Sequence, residues 1–222
     1  MNKDINIRLE TDKDYKIVEK LTFEAFETVD FPGQKYTIEH FFAYLLRKDA
    51  SFVHELDFVA EDEEEIVGNI MYNTINIKVN NCMKNNKSIP ENDVYSCEHI
   101  SSEKNIKEVL SLALLSVLPK FHSMGIGGRL IENSLKKAKD LGYKAMLLPG
   151  GYPEYYTRFG FKPASFYGFK WLDGSELDAF MALELEEGYL GRAGGKWKLA
   201  DFYNDLLDEE KFREYQIRFN EY

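Results

Sequence analysis

The sequence predicts a mixed α/β fold, and three observations support this class. Apolar runs that suit strands alternate along the chain with segments whose apolar residues recur at helical spacing. A glycine-rich loop joins one of these runs to an amphipathic helix. The chain has 222 residues, 44% of them hydrophobic, which is enough to bury a substantial core. We expect a single domain over 1–222, with a core at about 5–185, an insertion at about 80–105 and a C-terminal extension at about 186–222.

The first part of the chain is predicted to form a strand and two helices. Residues 5–9 alternate apolar and polar side chains, which is typical of a strand with one buried face. Thr11 or Asp12 is expected to cap the first helix and Thr37 the second, with a break at Phe31-Pro32-Gly33 between them. The apolar faces comprise Ile17, Val18, Leu21, Ala25 and Phe26 in the first helix, and Ile38, Phe41, Phe42, Leu45 and Leu46 in the second.

A hairpin is predicted next. Residues 57–60 and 67–79 are expected to be strands, and the acidic stretch 61–65 is expected to be the turn between them. The segment 80–105 contains NNCMKNNKSIPEND, which is polar and rich in asparagine. We expect an inserted loop there, because a long loop inside a domain is uncommon unless it serves a function or moves.

The middle of the chain holds the most distinctive pattern. Residues 109–118 (VLSLALLSVL) are continuously apolar, which suits a strand buried on both faces. The glycine-rich stretch FHSMGIGGRL follows, and then a helix with its C-terminal cap predicted at Gly142. Its apolar stripe consists of Ile126, Leu130, Ile131, Leu135, Ala138 and Leu141.

The last part of the chain is predicted to contain two more strands and two more helices. The strands are expected at 145–148 and 179–185. Between them, PGGYPEYYTRFGF predicts a turn followed by a short aromatic helix. A second glycine-rich stretch, GRAGGKW, precedes a charged amphipathic helix expected near 208–219.

Composition narrows the class of partner and the location. The formal net charge of −10 argues against nucleic acid, because that binding depends on neutralising phosphates with Lys and Arg. It favours a cationic or neutral small molecule. Two cysteines outside any CxxC pair do not form a disulfide framework, and the N-terminal residues MNKDINIRLE have no apolar signal core. We therefore expect a cytoplasmic protein with no membrane span, for which a homodimer is compatible with the sequence.

The glycine loop is predicted to bind an anion. A strand, a glycine turn and a helix N-terminus together present free amide donors and the positive end of a helix dipole. A P-loop would need GxxxxGK[ST], and no lysine follows the glycines here. A dinucleotide fingerprint would need GxGxxG after a first strand, whereas Leu130 replaces its last glycine and the loop lies in mid-chain. A tight turn without a ligand is the structural alternative.

A third pattern fits. The stretch PKFHSMGIGG (119–128) resembles the pyrophosphate loop of GNAT superfamily N-acetyltransferases, which is written Q/R-x-x-G-x-G/A, with histidine at the usual glutamine or arginine position. The segment LSVLP (115–119) resembles the central strand of that family and its following proline. YYTRFGF (155–161) is similar to the YYxRFGF ending of a bacterial branch, and AFMALEL resembles that branch too. The order of predicted elements agrees with the GNAT fold from about Ile5 to Leu185.

The resemblance implies acetyl-CoA as cofactor and transfer of its acetyl group to a primary amine by direct attack in a ternary complex. It implies that the cofactor binds the backbone of the strand and the loop, at Leu115, Ser116, Val117, His122, Ser123, Met124, Gly125, Ile126, Gly127 and Gly128. The glycines would let the pyrophosphate approach the main chain, since a Cβ atom would block it. No metal site is expected.

The resemblance also implies that Tyr156 is the acid that protonates the departing thiolate, because the family often carries a tyrosine near the sulfur of CoA. A phenol can donate a proton and is neutral at pH 7. The alternative is that Tyr156 packs with neighbouring aromatic rings, and for Tyr155 packing is the favoured interpretation.

The sequence leaves the base, the acceptor and one rival function open. The acidic candidates for the base are Glu24, Glu27, Asp30, Glu98, Glu103 and Glu108, most of them expected to be solvated. The histidines His40, His54 and His99 show no metal-binding spacing, and His40 is expected to pack on its helix. Polyamines, aminoglycosides, amino acids and protein N-termini all qualify as acceptors. The rival is an inactive acyl-CoA-binding regulatory module.

Overall fold

Residues 5–27, 29, 37–79, 106–191 and 194–221 are described by a computed structural model of the chain. Their contacts divide them into two units. Unit 1 consists of the described residues within 1–74, 110–143 and 199–222, and unit 2 of those within 75–109 and 144–198. The single domain over 1–222 stays a prediction, and the predicted insertion at 80–105 lies outside the described residues.

The described elements follow the predicted order. The strands are β1 (Ile5–Leu9), β2 (Phe58–Asp62), β3 (Glu65–Val79), β4 (Ile106–Val117), β5 (Ala145–Leu148), β6 (Lys162–Pro163), β7 (Met181–Glu184) and β8 (Gly195–Trp197). The helices are α1 (Tyr15–Phe26), α2 (Glu39–Leu46), α3 (Ile126–Asp140), α4 (Pro153–Tyr156), α5 (Tyr203–Leu206) and α6 (Glu209–Phe219). The mixed α/β class is confirmed, and β6, β8 and α5 are additions that the sequence patterns did not predict.

The sheet of unit 1 is built from neighbouring strands β1, β2, β3 and β4. β1 pairs antiparallel with β2, and β2 pairs antiparallel with β3 through a bulge between Ala60 and Glu61. The turn of this hairpin is shorter than predicted, because β2 continues to Asp62 and β3 begins at Glu65. The end of β4 lies beside the start of β3, where Leu118 N–H donates to Val67 O at 3.0 Å.

Helices cover both faces of this sheet. On one face α3 packs close to β3, and the Tyr72 hydroxyl lies 2.7 Å from Ser134 Oγ. On the other face a hydrophobic cluster joins β3 and β4 to α2 and the C-terminal extension. Its buried members are Phe42, Ala43, Leu46, Phe52, Met71, Leu114 and Phe202. The core of unit 1 therefore forms where residues distant in sequence meet across the sheet.

The start of α1 differs from the prediction. Its N-cap is Asp14, whose side chain makes no capping bond, so neither Thr11 nor Asp12 caps the helix. The Asp14 carboxylate instead accepts hydrogen bonds from Thr11 N at 2.8 Å and Thr11 Oγ1 at 2.7 Å, and Arg8 Nη1 pairs with it at 2.7 Å. These bonds lower the pKa of Asp14 to about 2, the Arg8 bond being the largest cause.

The predicted N-cap of α2 was wrong, and the predicted C-terminal cap of α3 is confirmed. α2 begins after Ile38 without a side-chain cap, so Thr37 does not have the predicted role. The end of α3 is as predicted: Gly142 has φ +86°, and its N–H donates to Lys139 O at 3.0 Å. Tyr143 N–H donates to Ala138 O at 3.0 Å, which completes a Schellman motif.

The C-terminal extension packs on α1 and α2 within unit 1. α6 begins at an N-cap, Asp208, whose carboxylate accepts two backbone N–H groups of the first turn. The buried Tyr215 hydroxyl donates to Glu19 Oε2 of α1 at 3.0 Å and lies 3.2 Å from His40 O of α2. The last helix thus holds the first two together.

Unit 2 contains the remaining strand pairs. β7 pairs antiparallel with both β5 and β6, and the last residues of β3 pair antiparallel with β8. The predicted strand at 145–148 is confirmed, and the one at 179–185 is shorter, at Met181–Glu184. α4 and the 3₁₀ turn Thr157–Phe159 form the predicted aromatic helix between them.

Candidate active site

The predicted cofactor loop lies between β4 and α3 in unit 1. A 3₁₀ turn, Pro119–Phe121, follows the end of β4, and Gly125 is the N-cap of α3. Phe121 N–H donates to Leu118 O at 2.8 Å, and His122 N–H donates to Pro119 O at 3.1 Å. The structure therefore brings the predicted strand residues 115–117 and the loop residues 122–128 together in one strand–turn–helix segment.

The loop combines left-handed residues with unpaired backbone N–H groups. Ser123 has φ +63° and Gly125 has φ +79°, so two left-handed residues alternate with Met124. Within the described part of the chain, the backbone N–H groups of residues 123–128 make no hydrogen bond to protein. Unpaired N–H groups at the start of a helix can donate to an anion, and the helix dipole adds positive potential at the same end of α3.

The left-handed backbone is occupied by glycine at position 125 and by a strained serine at position 123. A Cβ atom on Gly125 would meet nothing within 4 Å, so glycine serves the left-handed backbone there and leaves the surface open. A serine in the left-handed region costs about 1 kcal/mol, and backbone strain of this type concentrates at ligand-binding sites. The side chains of His122, Ser123 and Met124 are exposed to solvent, as is Gly125.

Gly68 of β3 explains how closely α3 packs against the sheet. A Cβ at this position would lie 3.2 Å from Ile126 Cγ2, from Leu130 Cδ1 and from Ser116 O. Gly68 therefore lets the first turn of α3 settle against β3 beside the predicted binding strand. The sequence analysis did not identify Gly68. A single glycine inside a strand indicates that another part of the protein lies close to the backbone, but the pattern does not show which part.

The strand residues 115–117 have distinct surroundings. Leu115 and Val117 are half-buried, whereas Ser116 is buried and its hydroxyl donates to Thr22 Oγ1 of α1 at 3.3 Å. The Val117 carbonyl oxygen lies 2.9 Å from His122 Nε2. The side chain of Ser116 thus serves the contact with α1, and a ligand on this strand would meet backbone groups.

Tyr156 lies in unit 2, where its ring is buried at 7% exposure. The ring contacts Tyr155 at 5.1 Å and Phe161 at 5.7 Å between centroids. Burial, and to a smaller extent Tyr155, raises the pKa of the Tyr156 phenol well above its usual value, so the phenol is protonated at neutral pH. The hydroxyl has no hydrogen-bond partner among the described residues, so it is free to donate to a ligand.

Gly151 makes room for the Tyr156 ring. A Cβ on Gly151 would lie 2.7 Å from Tyr156 Cε2 and 2.9 Å from Leu148 Cδ2, distances that real Cβ atoms do not reach. Gly150 has no heavy atom within 4 Å of its Cβ position. The glycine pair in PGGY was the available signal for this packing, but it was interpreted only as a turn.

Tyr155 has the environment expected of a packing residue. Its ring contacts Phe159 at 5.7 Å between centroids, and the Arg158 guanidinium lies 4.0 Å above it. Burial raises the pKa of Tyr155, while Arg158 opposes the rise. The two tyrosines therefore differ: Arg158 covers the ring of Tyr155, and the ring of Tyr156 is the more deeply buried.

The acidic candidates for the base fall into two groups, and the three histidines are not among them. Glu24, Glu27 and Glu108 are exposed, as expected of solvated charges. Asp30, Glu98, Glu103 and the histidine His99 lie outside the described residues. His54 is exposed, and His40 is buried among rings of α1 and α6, which confirms its packing role.

Buried carboxyl groups in unit 1 were missed by the sequence analysis. Arg47 Nη2 pairs with Glu10 Oε1 at 2.6 Å, and Arg47 Nη1 pairs with Glu19 Oε1 at 3.2 Å. Glu10 also shares a hydrogen bond with Asp57, and burial is the main reason that the pKa of Glu10 is raised. Burial raises the pKa of Glu19 as well. These side chains are enclosed, so their role is to join α1, α2 and β2.

Over the described ranges, no group of three or more His, Cys, Asp or Glu side chains is placed to hold a metal ion. In the same ranges, no helix has the length and apolar character needed to cross a bilayer.

Comparisons with known proteins were made on sequence and structure. A family model described as the acetyltransferase (GNAT) family matches residues 17–161. The uncharacterized N-acetyltransferase YjhQ of Escherichia coli (strain K12) is 37% identical over 54 residues, 24% of this chain and 29% of that relative. The match thus spans less than a third of the relative's length.

Solved structures share the fold. One is a GNAT family acetyltransferase from Brucella melitensis in complex with acetyl-CoA. Its sequence is 23% identical to this chain, the TM-score is 0.61, and the alignment covers 90% of this chain and 99% of the other. Another is the GNAT family N-acetyltransferase YhbS from Escherichia coli in complex with CoA. Its sequence is 22% identical to this chain, the TM-score is 0.65, and the alignment covers 90% of this chain and 92% of the other.

Proposed function

Because the chain belongs to the acetyltransferase (GNAT) family, we propose that it transfers the acetyl group of acetyl-CoA to a primary amine. The observation that carries this proposal is the loop between β4 and α3. Its backbone N–H groups from Ser123 to Gly128 have no acceptor among the described residues, and two left-handed residues shape it as an anion cradle. The complexes of the Brucella melitensis and YhbS structures with acetyl-CoA and CoA support the same ligand for this chain.

The binding roles follow from the fit of the residues to this ligand. The loop residues from His122 to Gly128 would surround the pyrophosphate, and the free backbone N–H groups of Ser123, Met124, Gly125, Ile126, Gly127 and Gly128 would bind it, since the His122 N–H already donates to Pro119 O. The backbone of Leu115, Ser116 and Val117 would hold the pantetheine arm and the acetyl carbonyl. When bound, acetyl-CoA supplies a thioester carbonyl that a neutral amine can attack.

Tyr156 is the acid in this proposal. Its phenol is protonated at neutral pH, as a tyrosine ordinarily is, and burial raises its pKa further. As the amine attacks and the C–S bond breaks, the phenol would give its proton to the departing thiolate sulfur. The amine nitrogen would lose its proton to a base or a water relay, since a lysine-type amine with a pKa of about 10.4 is otherwise charged.

Direct attack in a ternary complex is the proposed route. A covalent acetyl-enzyme would need a nucleophilic thiol, and neither Cys82 nor Cys97 lies in the motif region. The proposed acceptor is a small-molecule or peptide amine, and the location is the cytoplasm, where two cysteines without a disulfide framework are usual. A homodimer is compatible with this proposal.

An inactive acyl-CoA-binding regulatory module is the alternative. It would share the loop and bind CoA, but it would release no thiol in the presence of an amine. The unassigned base favours this alternative, and the protonated Tyr156 phenol favours the enzyme.

The test combines binding and turnover. Calorimetry is expected to show CoA binding to the wild-type chain, and a panel of amines with acetyl-CoA is expected to release free CoA thiol for at least one class. Gly127→Val should weaken CoA binding without unfolding the chain, since a branched side chain would stand before the N–H groups. CoA binding with no turnover on any amine would favour the regulatory module, and unchanged CoA affinity in Gly127→Val would overturn the role of the loop.

A further inference from the structure

His122 makes a contact that the proposed cofactor roles do not use. Its Nε2 atom lies 2.9 Å from the carbonyl oxygen of Val117, the last residue of β4. A carbonyl oxygen can only accept a hydrogen bond, so the contact requires that Nε2 carries the hydrogen. The geometry therefore fixes the tautomer of an exposed histidine.

The bond closes the turn that carries the loop. Between the two residues, Phe121 N–H donates to Leu118 O and His122 N–H donates to Pro119 O, so residues 118–122 form a tight 3₁₀ turn. The side chain of His122 adds a third bond, from the end of this turn back to the strand. The next residue, Ser123, has φ +63° and begins the run of free N–H groups.

The hydrogen bond from His122 Nε2 to Val117 O lies directly before the left-handed Ser123 and constrains the backbone there. A left-handed serine is unfavourable unless its surroundings hold it, and the His122 brace fixes the backbone immediately before it. The direction of the first free N–H groups depends on that backbone. The side chain of His122 thus acts on the orientation of the loop through Val117 O, not through contact with a ligand.

We propose that His122 is a positioning residue that braces the glycine loop against the end of β4 by donating from Nε2 to Val117 O. This inference rests on the proposed function, because it concerns the affinity of the loop for CoA. It also accounts for histidine at a position where the motif has glutamine or arginine, since all three side chains can donate an N–H to a carbonyl.

Two substitutions separate the brace from any other role of the side chain. In glutamine the amide nitrogen is as many bonds from Cα as Nε2 of histidine, whereas in asparagine it is as far as Nδ1. His122→Gln should keep the bond and bind CoA within about twofold of the wild type. His122→Asn should lose the bond and bind CoA about three- to tenfold more weakly, the range expected of one hydrogen bond.

Kinetics give a second readout. Since the loop holds the pyrophosphate equally in the ground and transition states, His122→Asn should raise KM for acetyl-CoA and leave kcat nearly unchanged. Both variants should melt as the wild type does, because the residue is exposed. His54→Ala, the loss of another exposed imidazole, is the control and should leave CoA affinity unchanged.

The tautomer can be measured without CoA. Long-range proton–nitrogen NMR on ¹⁵N-labelled protein should show His122 in the Nε2–H form alone, while exposed His54 samples both forms. An Nδ1–H form of His122 would overturn the brace, as would equal CoA affinities for His122→Gln and His122→Asn. A wild-type chain that binds no CoA would instead overturn the proposed function, so the two failures are distinguishable.

Discussion

At the scale of single residues, the aromatic helix shows how one side chain can serve packing and chemistry together. The Tyr156 ring is held by Tyr155, Phe161 and the space that Gly151 leaves free. Its hydroxyl has no partner in the described part of the chain. The ring therefore accounts for stability and the hydroxyl for the proposed proton transfer, and the two contributions can be measured separately.

Removing the hydroxyl tests the proposed acid. Tyr156→Phe keeps the ring, so the melting temperature should change little, while kcat should fall roughly 100- to 10,000-fold, the usual contribution of acid catalysis. CoA affinity should be unaffected, because the bond to sulfur strengthens only as the thiolate forms. Tyr155→Phe is the matched control and should cost far less. A Tyr156→Phe enzyme with kcat within a few-fold of the wild type would leave Tyr156 as a packing residue only.

Adding a methyl group tests the packing. Gly151→Ala places a Cβ 2.7 Å from Tyr156 Cε2, so the ring or the turn must move. We expect the free energy of unfolding to fall by about 1 to 3 kcal/mol, the cost of overpacking a core. Gly150→Ala, with nothing within 4 Å of its Cβ, should be close to neutral. Urea titrations of the two variants make the comparison, and equal stabilities would show that the turn yields freely.

At the scale of elements, α6 holds α1 and α2 through polar and aromatic contacts. His40 of α2 is fully buried, with its ring 4.6 Å from that of Phe219 and 5.1 Å from that of Phe23, between centroids. Gln216 Nε2 lies 2.8 Å from His40 Nε2, and among the described residues His40 Nδ1 has no hydrogen-bond partner. Burial therefore disfavours a charge on this imidazole.

The burial of His40 predicts acid sensitivity. Burial lowers its pKa to about 4, whereas in the unfolded chain it is near 6.5. As the pH falls below 6.5, His40 is protonated in the unfolded chain but stays neutral in the folded chain. The contribution of His40 to the free energy of unfolding is therefore fully present above pH 6.5 and falls by about 3 kcal/mol toward pH 4.

A variant isolates this contribution. Glu10 and Glu19 have raised pKa values and act with the opposite sign, so the total pH dependence is mixed. Urea unfolding of the wild type and His40→Gln at pH 7 and pH 5 should show that the wild type loses about 2 kcal/mol more than the variant on acidification. Parallel pH dependences of the two proteins would show that His40 takes up its proton as readily when folded.

Local patterns predicted the long elements and missed features that depend on distant partners. The apolar stripe of α3 and the left-handed Gly142 at its end are local; Gly142 was predicted correctly, and of the predicted stripe Ile126, Leu130, Ile131 and Ala138 are buried, whereas Leu135 is half-buried and Leu141 is exposed. β6 and β8 have two and three residues, too short for any periodicity, and they exist because β7 and β3 pair with them. The cap of α1 was misplaced because Arg8 and Thr11 bind the carboxylate of Asp14.

In the candidate site too, contiguous sequence motifs could be predicted, whereas contacts between residues distant in sequence could not. The glycine loop follows from spacing that is contiguous in sequence, and the strand before it from its apolar run. The buried ion pairs of Arg47 were not predictable, because Glu10 and Glu19 are residue types that usually face solvent. Nor does spacing indicate that His122 reaches back to Val117 O, since that contact depends on the turn between them.

At the scale of the whole molecule, charge gives the clearest expectation about the acceptor. The net charge is −10, and at the tip of the β2–β3 hairpin four acidic residues follow one another: Asp62 at the end of β2, Glu63 and Glu64 in the turn, and Glu65 at the start of β3. A negative field attracts a cationic substrate at a distance and is weakened by salt.

Salt dependence tests this expectation. With the most active polyamine of the screen, kcat/KM should fall steadily as ionic strength rises, because the Debye length shortens from about 10 Å at 0.1 M to about 3 Å at 1 M. A monoamine acceptor of similar length serves as the control and should show a weaker dependence. A flat profile for the polyamine would show that the charge of the protein does not assist its binding.

The bond between Tyr215 and Glu19 has a consequence for synthesis of the chain. The two residues are 196 positions apart, and at 5–20 residues per second a ribosome needs roughly 10 to 40 s to make the stretch between them. During that time α1 and Arg47 have been made, but Tyr215, the second partner of the Glu19 carboxylate, has not. Unit 1 can therefore be completed only when translation nears its end, and until then the surfaces of α1 and α2 that α6 covers, including Phe23 and His40, are exposed to solvent and to chaperones.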